Sequence, residues 1–158
     1  MKVTTVRDGH EVLDFDAYTQ HLMSVVVNKL GSLSSADYLA QFGLGSIEMR
    51  TMASLAYQPN LKASEICNLI GIDKAAISRA LTKLMDRALL NASKDRQKRY
   101  QLSDAGWNLH EQFLQLVKQR QASLTQGLSE DELLRLTHML RKLALNVELL
   151  ASKRETSP

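Results

Sequence analysis

The chain has 158 residues, of which 44% are hydrophobic and 23% charged, with one cysteine and a formal net charge of +3. This composition predicts one ordered globular domain, with or without appended helices, and excludes a disordered chain, a membrane-spanning protein and an intramolecular disulfide. The lone cysteine and an N-terminus without an apolar signal segment favour a cytoplasmic protein.

The positive charge is concentrated in the middle of the sequence. Residues 62–102 contain nine Lys or Arg and four Asp or Glu, a net charge of +5, which leaves −2 for the rest of the chain. A local basic patch is the electrostatic footprint of a polyanion partner. On charge alone, a solvated surface with chance clustering explains the pattern equally well.

Three helices are predicted in the first 57 residues. Apolar residues recur every 3.6 residues from Asp14 to Leu33, and the Gly/Ser-rich stretch "GSLSS" is expected to end this helix. A short helix is predicted for Ala36 to Phe42, and another for Ile47 to Tyr57, with Ser46 as its N-cap.

A turn at Pro59-Asn60 leads into two short segments with apolar stripes, between Ser64 and Leu84. Gly71 lies at the break between them, where a positive φ is expected, and Asp73 is placed to cap the second segment. This is the spacing of a helix-turn-helix.

A β-hairpin and two long helices complete the predicted elements. The segments "LLNAS" and "RYQLS" flank the charged turn "KDRQK", which favours a hairpin. Ser103 is expected to cap a helix that runs to about Leu124. A capping box predicts that the last helix begins after Ser129 and runs to about Ala151, with residues 152–158 as a flexible tail.

The second helix of the helix-turn-helix must leave one face uncovered. Its side chains carry donors suited to phosphates and to base edges in a DNA major groove, and the hairpin tip can reach the neighbouring minor groove or backbone. The arrangement is that of a winged helix. The candidate DNA-binding residues are Lys62, Ser64, Lys74, Ala75, Ser78, Arg79, Thr82, Lys83, Lys94, Arg96, Lys98 and Arg99.

The order of these elements resembles the MarR family of bacterial transcription regulators. The phrases that carry the resemblance are "FGLGSIEMRTMASLA", "LKASEICNLIGIDKAAISRALTKLMDRALL" and "KDRQKRYQLSDAG". The resemblance implies a mainly α fold with a small β-hairpin wing, in which a winged helix-turn-helix at 36–103 lies between dimerisation helices at 1–33 and 104–151. It also implies a homodimer that binds palindromic double-stranded DNA operators, often as a repressor released by a small aromatic ligand or by cysteine oxidation.

Three positions depart from the family pattern. The family usually has Ser or Thr where Lys62 stands, so the first helix of the motif is expected to lack a side-chain cap. Ala88 replaces a glycine, and a left-handed conformation there would cost roughly 1 kcal/mol. The wing arginine aligns with Arg96 when counted from one side and with Gln97 from the other; we favour Arg96, because a cation suits a narrow, negative minor groove.

Other functions have less support in the sequence. An effector pocket touched by Tyr18, His21, Tyr38 or Arg50 is implied by the resemblance only. Cys67 lies at a packing position, so we expect it to be structural. The four histidines have no metal-ligand spacing and no catalytic motif is present, so neither a metal, a cofactor nor an enzyme is predicted. A winged helix that docks protein instead of DNA is the alternative.

Overall fold

The computed structural model describes residues 2–155. The chain forms two compact units whose boundary lies within a helix, after Phe113. The elements in chain order are β1 (Thr4–Arg7), β2 (His10–Leu13), α1 (Thr19–Phe42), α2 (Ser46–Tyr57), β3 (Leu61–Lys62), α3 (Ala63–Ile70), α4 (Lys74–Asp86), β4 (Leu90–Ala92), β5 (Arg99–Leu102), α5 (Asp104–Leu124) and α6 (Glu130–Glu155). The predicted fold class, mainly α with a small β-hairpin wing, is confirmed.

The N-terminal hairpin β1–β2 was not predicted. Its strands pair antiparallel, with Arg7 opposite His10, around a two-residue turn. Asp8 and Gly9 both have positive φ, 51° and 79°, as a type I′ turn requires. An Asp-Gly pair is a strong hairpin signal, so the sequence did contain the information. The predicted start of the first helix at Asp14 was therefore too early.

Helix α1 is continuous from Thr19 to Phe42, and the predicted break at "GSLSS" is wrong. A glycine such as Gly31 in a helix interior lowers the stability of the helix by about 1 kcal/mol relative to alanine, a loss that a long helix tolerates. The hydroxyl of Ser32 donates to the Asn28 carbonyl at 3.1 Å, so a residue read as a breaker is satisfied inside the helix. The helix ends at Gly43, whose φ of 63° is left-handed.

The core of the first unit lies among α2, α3 and α4. Burying each of its large apolar side chains stabilises the fold by roughly 1.5–3 kcal/mol. Gly45, and not the predicted Ser46, is the N-cap of α2, and the buried Ser46 hydroxyl has no hydrogen-bond partner among the described residues. The fully buried apolar side chains are Leu44, Met49, Met52, Leu55, Ile66, Ile77 and Leu84.

The helix-turn-helix forms as the sequence predicts. Gly71 ends α3 with a φ of 65°, and Asp73 caps α4 by accepting the Ala76 N–H at 2.9 Å. Lys62 is the N-cap of α3, and its side chain makes no capping bond because an ammonium group has no acceptor. Only the other half of a capping box is present: the Lys62 N–H donates to the Glu65 carboxylate at 2.7 Å.

The wing is the β4–β5 hairpin, extended to three strands by β3 in the order β3-β5-β4. Leu90 pairs with Leu102 and Leu61 with Tyr100, so the wing is attached directly to the strand that precedes α3. Ala88, just before β4, has a φ of 55°, which confirms the left-handed conformation considered from the sequence.

Helix α5 begins against the turn between α4 and the wing. Ser103 caps it as predicted, since its hydroxyl accepts the Gly106 N–H at 3.0 Å and donates to the Ala88 carbonyl at 2.7 Å. Gly106 passes so close to Leu89 that an added Cβ would lie 2.1 Å from the Leu89 carbonyl oxygen. Only glycine fits this crossing.

Helix α6 belongs to the second unit and starts with the predicted capping box. The Ser129 N–H donates to the Glu132 carboxylate at 2.7 Å, and the Glu132 N–H donates to the Ser129 hydroxyl at 3.3 Å. The helix runs to Glu155, four residues beyond the prediction, so that part of the expected tail is helical; residues 156–158 lie outside the described residues. None of the helices in the described part of the chain is long and apolar enough to span a bilayer.

Candidate nucleic-acid interface

Helix α4 separates an apolar face from a polar one. Its inner side chains, Ala76, Ile77, Ala80, Leu81 and Leu84, are buried against the core. The outer face is exposed and consists of Lys74, Ala75, Ser78, Arg79, Thr82 and Lys83, the six α4 residues predicted to bind DNA. The Asp73 carboxylate caps the first turn of this helix by accepting the Ala76 N–H.

The two hydroxyl groups on the exposed face differ in their hydrogen bonding within the helix. The Thr82 hydroxyl donates to the Ser78 carbonyl one turn earlier, at 3.1 Å. Its donor is therefore used within the helix, and the methyl group of Thr82 is the part best suited to an apolar contact. Among the described residues the Ser78 hydroxyl has no such bond, and the exposed Arg79 follows it in the sequence.

The wing turn, residues 94–98, is exposed along its whole length. Lys94, Arg96 and Lys98 are its three cations. Gln97 lines a depression shared with α3 and α4, whereas Arg96 does not. Arg96 is thus the freer of the two candidates for a contact beyond the edge of the protein.

Two predicted contact residues are held by acidic neighbours. Lys83 Nζ lies 3.2 Å from a Glu48 carboxylate oxygen on α2. Arg99, in β5, donates from Nη1 to the Asn60 carbonyl at 2.7 Å and lies 3.5 Å from the Glu65 carboxylate. Arg99 therefore joins the base of the wing to the start of α3, a role that its sequence position did not reveal.

The remaining candidate cations have no carboxylate partner among the described residues. Three of them surround one depression of about 330 Å³, which is lined by Lys62, Ala63, Ser64, Lys74, Gln97 and Lys98. A second depression, of about 240 Å³, lies between α4 and the wing and includes Ser78, Thr82, Asp86, Lys98 and Tyr100. The unpaired cations are Lys62, Lys74, Arg79, Lys94, Arg96 and Lys98.

The four residues suggested for an effector pocket are not brought together. Tyr18 donates to Gln20 at 2.6 Å, and His21 stacks on Phe15 at 4.1 Å between ring centroids. Tyr38 lies 17 residues after His21 on the same helix, which at 1.5 Å per residue is about 26 Å away. One pocket within the chain cannot include both.

Arg50 and Tyr38 have structural partners of their own. Arg50 Nη2 donates to the Ile70 carbonyl at 2.6 Å, so it satisfies the C-terminus of α3. The Tyr38 ring is buried and packs edge-on against Phe113, with ring centroids 5.4 Å apart. Both side chains are therefore engaged in contacts within the first unit.

An aromatic cluster at the start of α5 was missed by the sequence analysis. His110 lies between Trp107 and Phe113, with centroid distances of 5.8 and 5.9 Å. Burial lowers the pKa of His110, although Glu111 acts to raise it, and the buried Nδ1 has no hydrogen-bond partner among the described residues. The i, i+3, i+6 spacing of these rings was the available signal.

Cys67 is half-buried on α3, in keeping with a packing position. Within the described residues, no three His, Cys, Asp or Glu side chains converge as metal ligands.

The family model described as sugar-specific transcriptional regulator TrmB matches residues 39–105, the winged helix-turn-helix. No curated protein sequence matches the chain. Among solved structures, a MarR/EmrR family transcriptional regulator from Acinetobacter sp. ADP1 is similar at 26% identity and a TM-score of 0.81, with 87% of this chain and 99% of that chain covered.

Two further solved structures concern DNA and a ligand. A MepR–DNA complex from S. aureus is similar at 20% identity and a TM-score of 0.72, with 84% of this chain and 98% of that chain covered. BpsR of Bordetella bronchiseptica is similar at 21% identity and a TM-score of 0.70, with 82% of this chain and 96% of that chain covered. The DNA binding of BpsR is regulated by 6-hydroxynicotinic acid. These likenesses extend over most of the chain.

Proposed function

The chain has the fold of the MarR-family winged-helix transcription regulators, and we propose that it represses transcription by binding inverted-repeat DNA operators as a homodimer. The observation that carries the proposal is the exposed face of α4 beside the exposed basic wing. Six cations of this surface have no carboxylate partner in the described residues, so they are available to a polyanion.

The shape of this surface fits duplex DNA. Helix α4 has 13 residues and can lie in a major groove about 12 Å wide. Ser78 and Arg79 would then face base edges, and the wing would reach the adjacent minor groove with Arg96. A protein-docking surface would be expected to expose more apolar area, and the S. aureus MepR structure shows this fold in complex with DNA.

A homodimer is supported by apolar stripes on helices of both units. Leu133, Leu136, Leu140, Leu143, Val147 and Leu150 follow the alternating three- and four-residue spacing of a coiled-coil seam on α6. Every residue from 130 to 153 is exposed except Leu133 and Leu143. In the other unit, α1 exposes Leu22, Val26, Val27 and Leu33. Soluble monomers rarely leave such surfaces uncovered, so a second copy is the natural partner.

Release of the DNA by a small aromatic compound completes the proposal. The named ligand of BpsR is a hydroxylated aromatic acid, which supports this chemical class. Tyr18 is the N-cap of α1 and His21 lies in its first turn, and both side chains are half-buried at the end of the helix where the proposed second copy would pack. A pocket completed by that copy would explain why the four suggested residues do not meet within one chain.

The test is selection of DNA from a random pool, followed by affinity measurements at several salt concentrations. We expect an enriched inverted repeat, two chains per site and a steep loss of affinity with salt. Scrambling the half-sites, with length and base composition unchanged, is the control. Absence of salt-dependent binding to any selected DNA would contradict the proposal and favour the protein-docking alternative.

A further inference from the structure

We propose that the depression bordered by Lys62, Lys74 and Lys98 is a phosphate seat, which holds a single backbone phosphate of each bound half-site. The proposal rests on the proposed DNA-binding function and adds a specific subsite to it. The seat is defined by these three lysines with Ser64 and Gln97, which also line the depression.

Three separate elements supply the cations. Lys62 precedes α3, Lys74 is the first residue of α4, and Lys98 ends the wing turn. These positions are 12 and 24 residues apart in sequence, so only the folded winged helix brings them around one opening of about 330 Å³. No carboxylate lines that opening, and Ser64 and Gln97 add neutral hydrogen-bond donors.

The nearby acids are already occupied. Glu65 accepts the Lys62 N–H and lies beside the Arg99 guanidinium. Asp73 accepts the Ala76 N–H as the cap of α4. Neither carboxylate makes an ion pair with a seat lysine, so the charge of the three ammonium groups is not offset by a carboxylate of the described residues.

Two of the lysines occupy unfavourable positions for the free protein. Lys62 takes an N-cap that Ser, Thr, Asp or Asn would stabilise, and Lys74 places a cation in the first turn of α4, where the helix dipole disfavours it. The first turn of α4 contains no acidic residue of its own, and the Asp73 carboxylate just before it already accepts the Ala76 N–H. An anion in the seat would offset the positive charge of both lysines at these helix N-termini.

The geometry favours a phosphate of the DNA backbone as the anion that occupies the seat. The seat adjoins the exposed face of α4, and Lys98 also borders the second depression, which contains Ser78 and Thr82. A duplex whose major groove receives α4 would therefore carry a phosphate past the seat. A free phosphate compound would present the same charged oxygens to the seat. The experiment below distinguishes it from a DNA phosphate.

The experiment compares the selected operator with copies that carry one uncharged methylphosphonate at each backbone position in turn. In the wild type we expect one position per half-site where loss of the charge weakens binding about tenfold. In the triple variant Lys62→Gln, Lys74→Gln, Lys98→Gln, the same substitution should have no further effect. Lys94→Gln, a wing cation outside the seat, is the matched control and should keep the sensitivity.

The salt dependence provides an independent count of phosphates. If the three lysines share one phosphate, the triple variant should lower the slope of log K against log salt by about 2 per dimer. Three separate phosphates would lower it by about 5 per dimer and overturn the seat. Thermal unfolding of the free variant should be unchanged or at a higher temperature, because removal of Lys74 relieves the helix dipole.

The remaining outcomes separate the seat from the function on which it rests. If the wild type binds no DNA, the proposed function and the seat both fail. If it binds DNA and the triple variant keeps full affinity and slope, only the seat is wrong. Titration with inorganic pyrophosphate in the absence of DNA should give no saturable binding below millimolar concentration; tight binding that the triple variant loses would assign the depression to a free phosphate compound instead.

Discussion

The guanidinium of Arg99 in β5 lies 3.5 Å from the carboxylate of Glu65 in α3, which also accepts the Lys62 N–H at 2.7 Å. One carboxylate therefore ties the wing to the beginning of the helix-turn-helix. Both side chains are about two-fifths exposed, at 41% and 42%, so the pair contributes little to stability. It places the last strand of the wing beside the start of α3.

Arg99 should consequently act through position and not through contact with DNA. We expect Arg99→Ala to weaken operator binding about tenfold. Arg99→Lys should be nearly as weak, because the compact ammonium on a different stem does not reproduce the planar guanidinium whose Nη1 reaches both Asn60 and Glu65. A residue that simply met a phosphate would be rescued by lysine. Operator affinities of the three proteins decide between these roles, since full rescue by Arg99→Lys would contradict positioning.

Arg79 is expected to read a base edge in the major groove. Arg79→Ala should cost roughly 1–3 kcal/mol on the operator and relax the preference at one base pair per half-site. Lys83→Ala, on the same helix but paired with Glu48, is the control and should affect all sequences alike. The measurement is affinity for the operator and for its single-base variants. An unchanged operator affinity for Arg79→Ala would mean that α4 presents a different face to the groove.

Arg96 is expected to enter the minor groove that flanks each half-site. Because a dimer has two wings, Arg96→Ala should flatten the slope of log K against log salt by up to about 2. It should also reduce any preference for A·T-rich flanks, where the narrow groove concentrates negative potential. Gln97→Ala is the matched variant at the neighbouring position. If Gln97→Ala changes the flank preference and Arg96→Ala does not, Gln97 and not Arg96 is the residue that enters the minor groove.

Leu140 tests the dimer, because it lies on the α6 seam and is 45% exposed in the single chain. Leu140→Glu should convert a particle of twice the 17.7 kDa chain mass into a monomer and abolish operator binding with it. Leu134→Glu, off the seam and 65% exposed, is the control and should remain dimeric. Sedimentation at micromolar concentration gives the answer. A wild-type monomer under these conditions would contradict the dimer outright.

Gly106 tests the crossing of α5 over the turn before the wing. Gly106→Ala should destabilise the fold by about 1–3 kcal/mol or more, since the new Cβ would lie 2.1 Å from a backbone oxygen. Gly31→Ala, inside α1 with open space around it, should instead stabilise by about 0.5–1 kcal/mol. Urea unfolding of both variants checks the signs. Equal changes in the free energy of unfolding for the two variants would show that α5 and Leu89 are farther apart than in the structure.

The sequence predicted those features that local signals determine. Gly71 and Asp73 mark the helix-turn-helix because a left-handed residue and an N-cap have few alternatives over such short spacing. The same holds for the Ser129–Glu132 capping box and for the exposed face of α4. Local reasoning was wrong at Gly31, where a weak breaker was read as a helix end although the rest of a long helix outweighs its cost.

Roles that depend on distant partners could not be predicted. Arg99 finds Glu65 across 34 residues, and Arg50 finds the Ile70 carbonyl across 20. Nothing in the local sequence distinguishes these arginines from solvated cations. The separation of His21 from Tyr38 likewise became evident only when α1 proved to be one continuous helix.

If the chain dimerises as proposed, the way in which α1 is anchored makes the ordering of this helix depend on the concentration of the protein. The buried side chains of α1, Tyr38 and Phe42, lie in its last two turns, and none of residues 19–37 is fully buried. Most of the stability of a helix in a protein comes from packing of its apolar face, so on the proposed arrangement a second copy supplies the missing cover. Since the amount of dimer grows as the square of the free chain concentration, operators would stay empty at low copy number and fill over a narrow rise in synthesis. The unprotected half of one helix would thus set a threshold for repression.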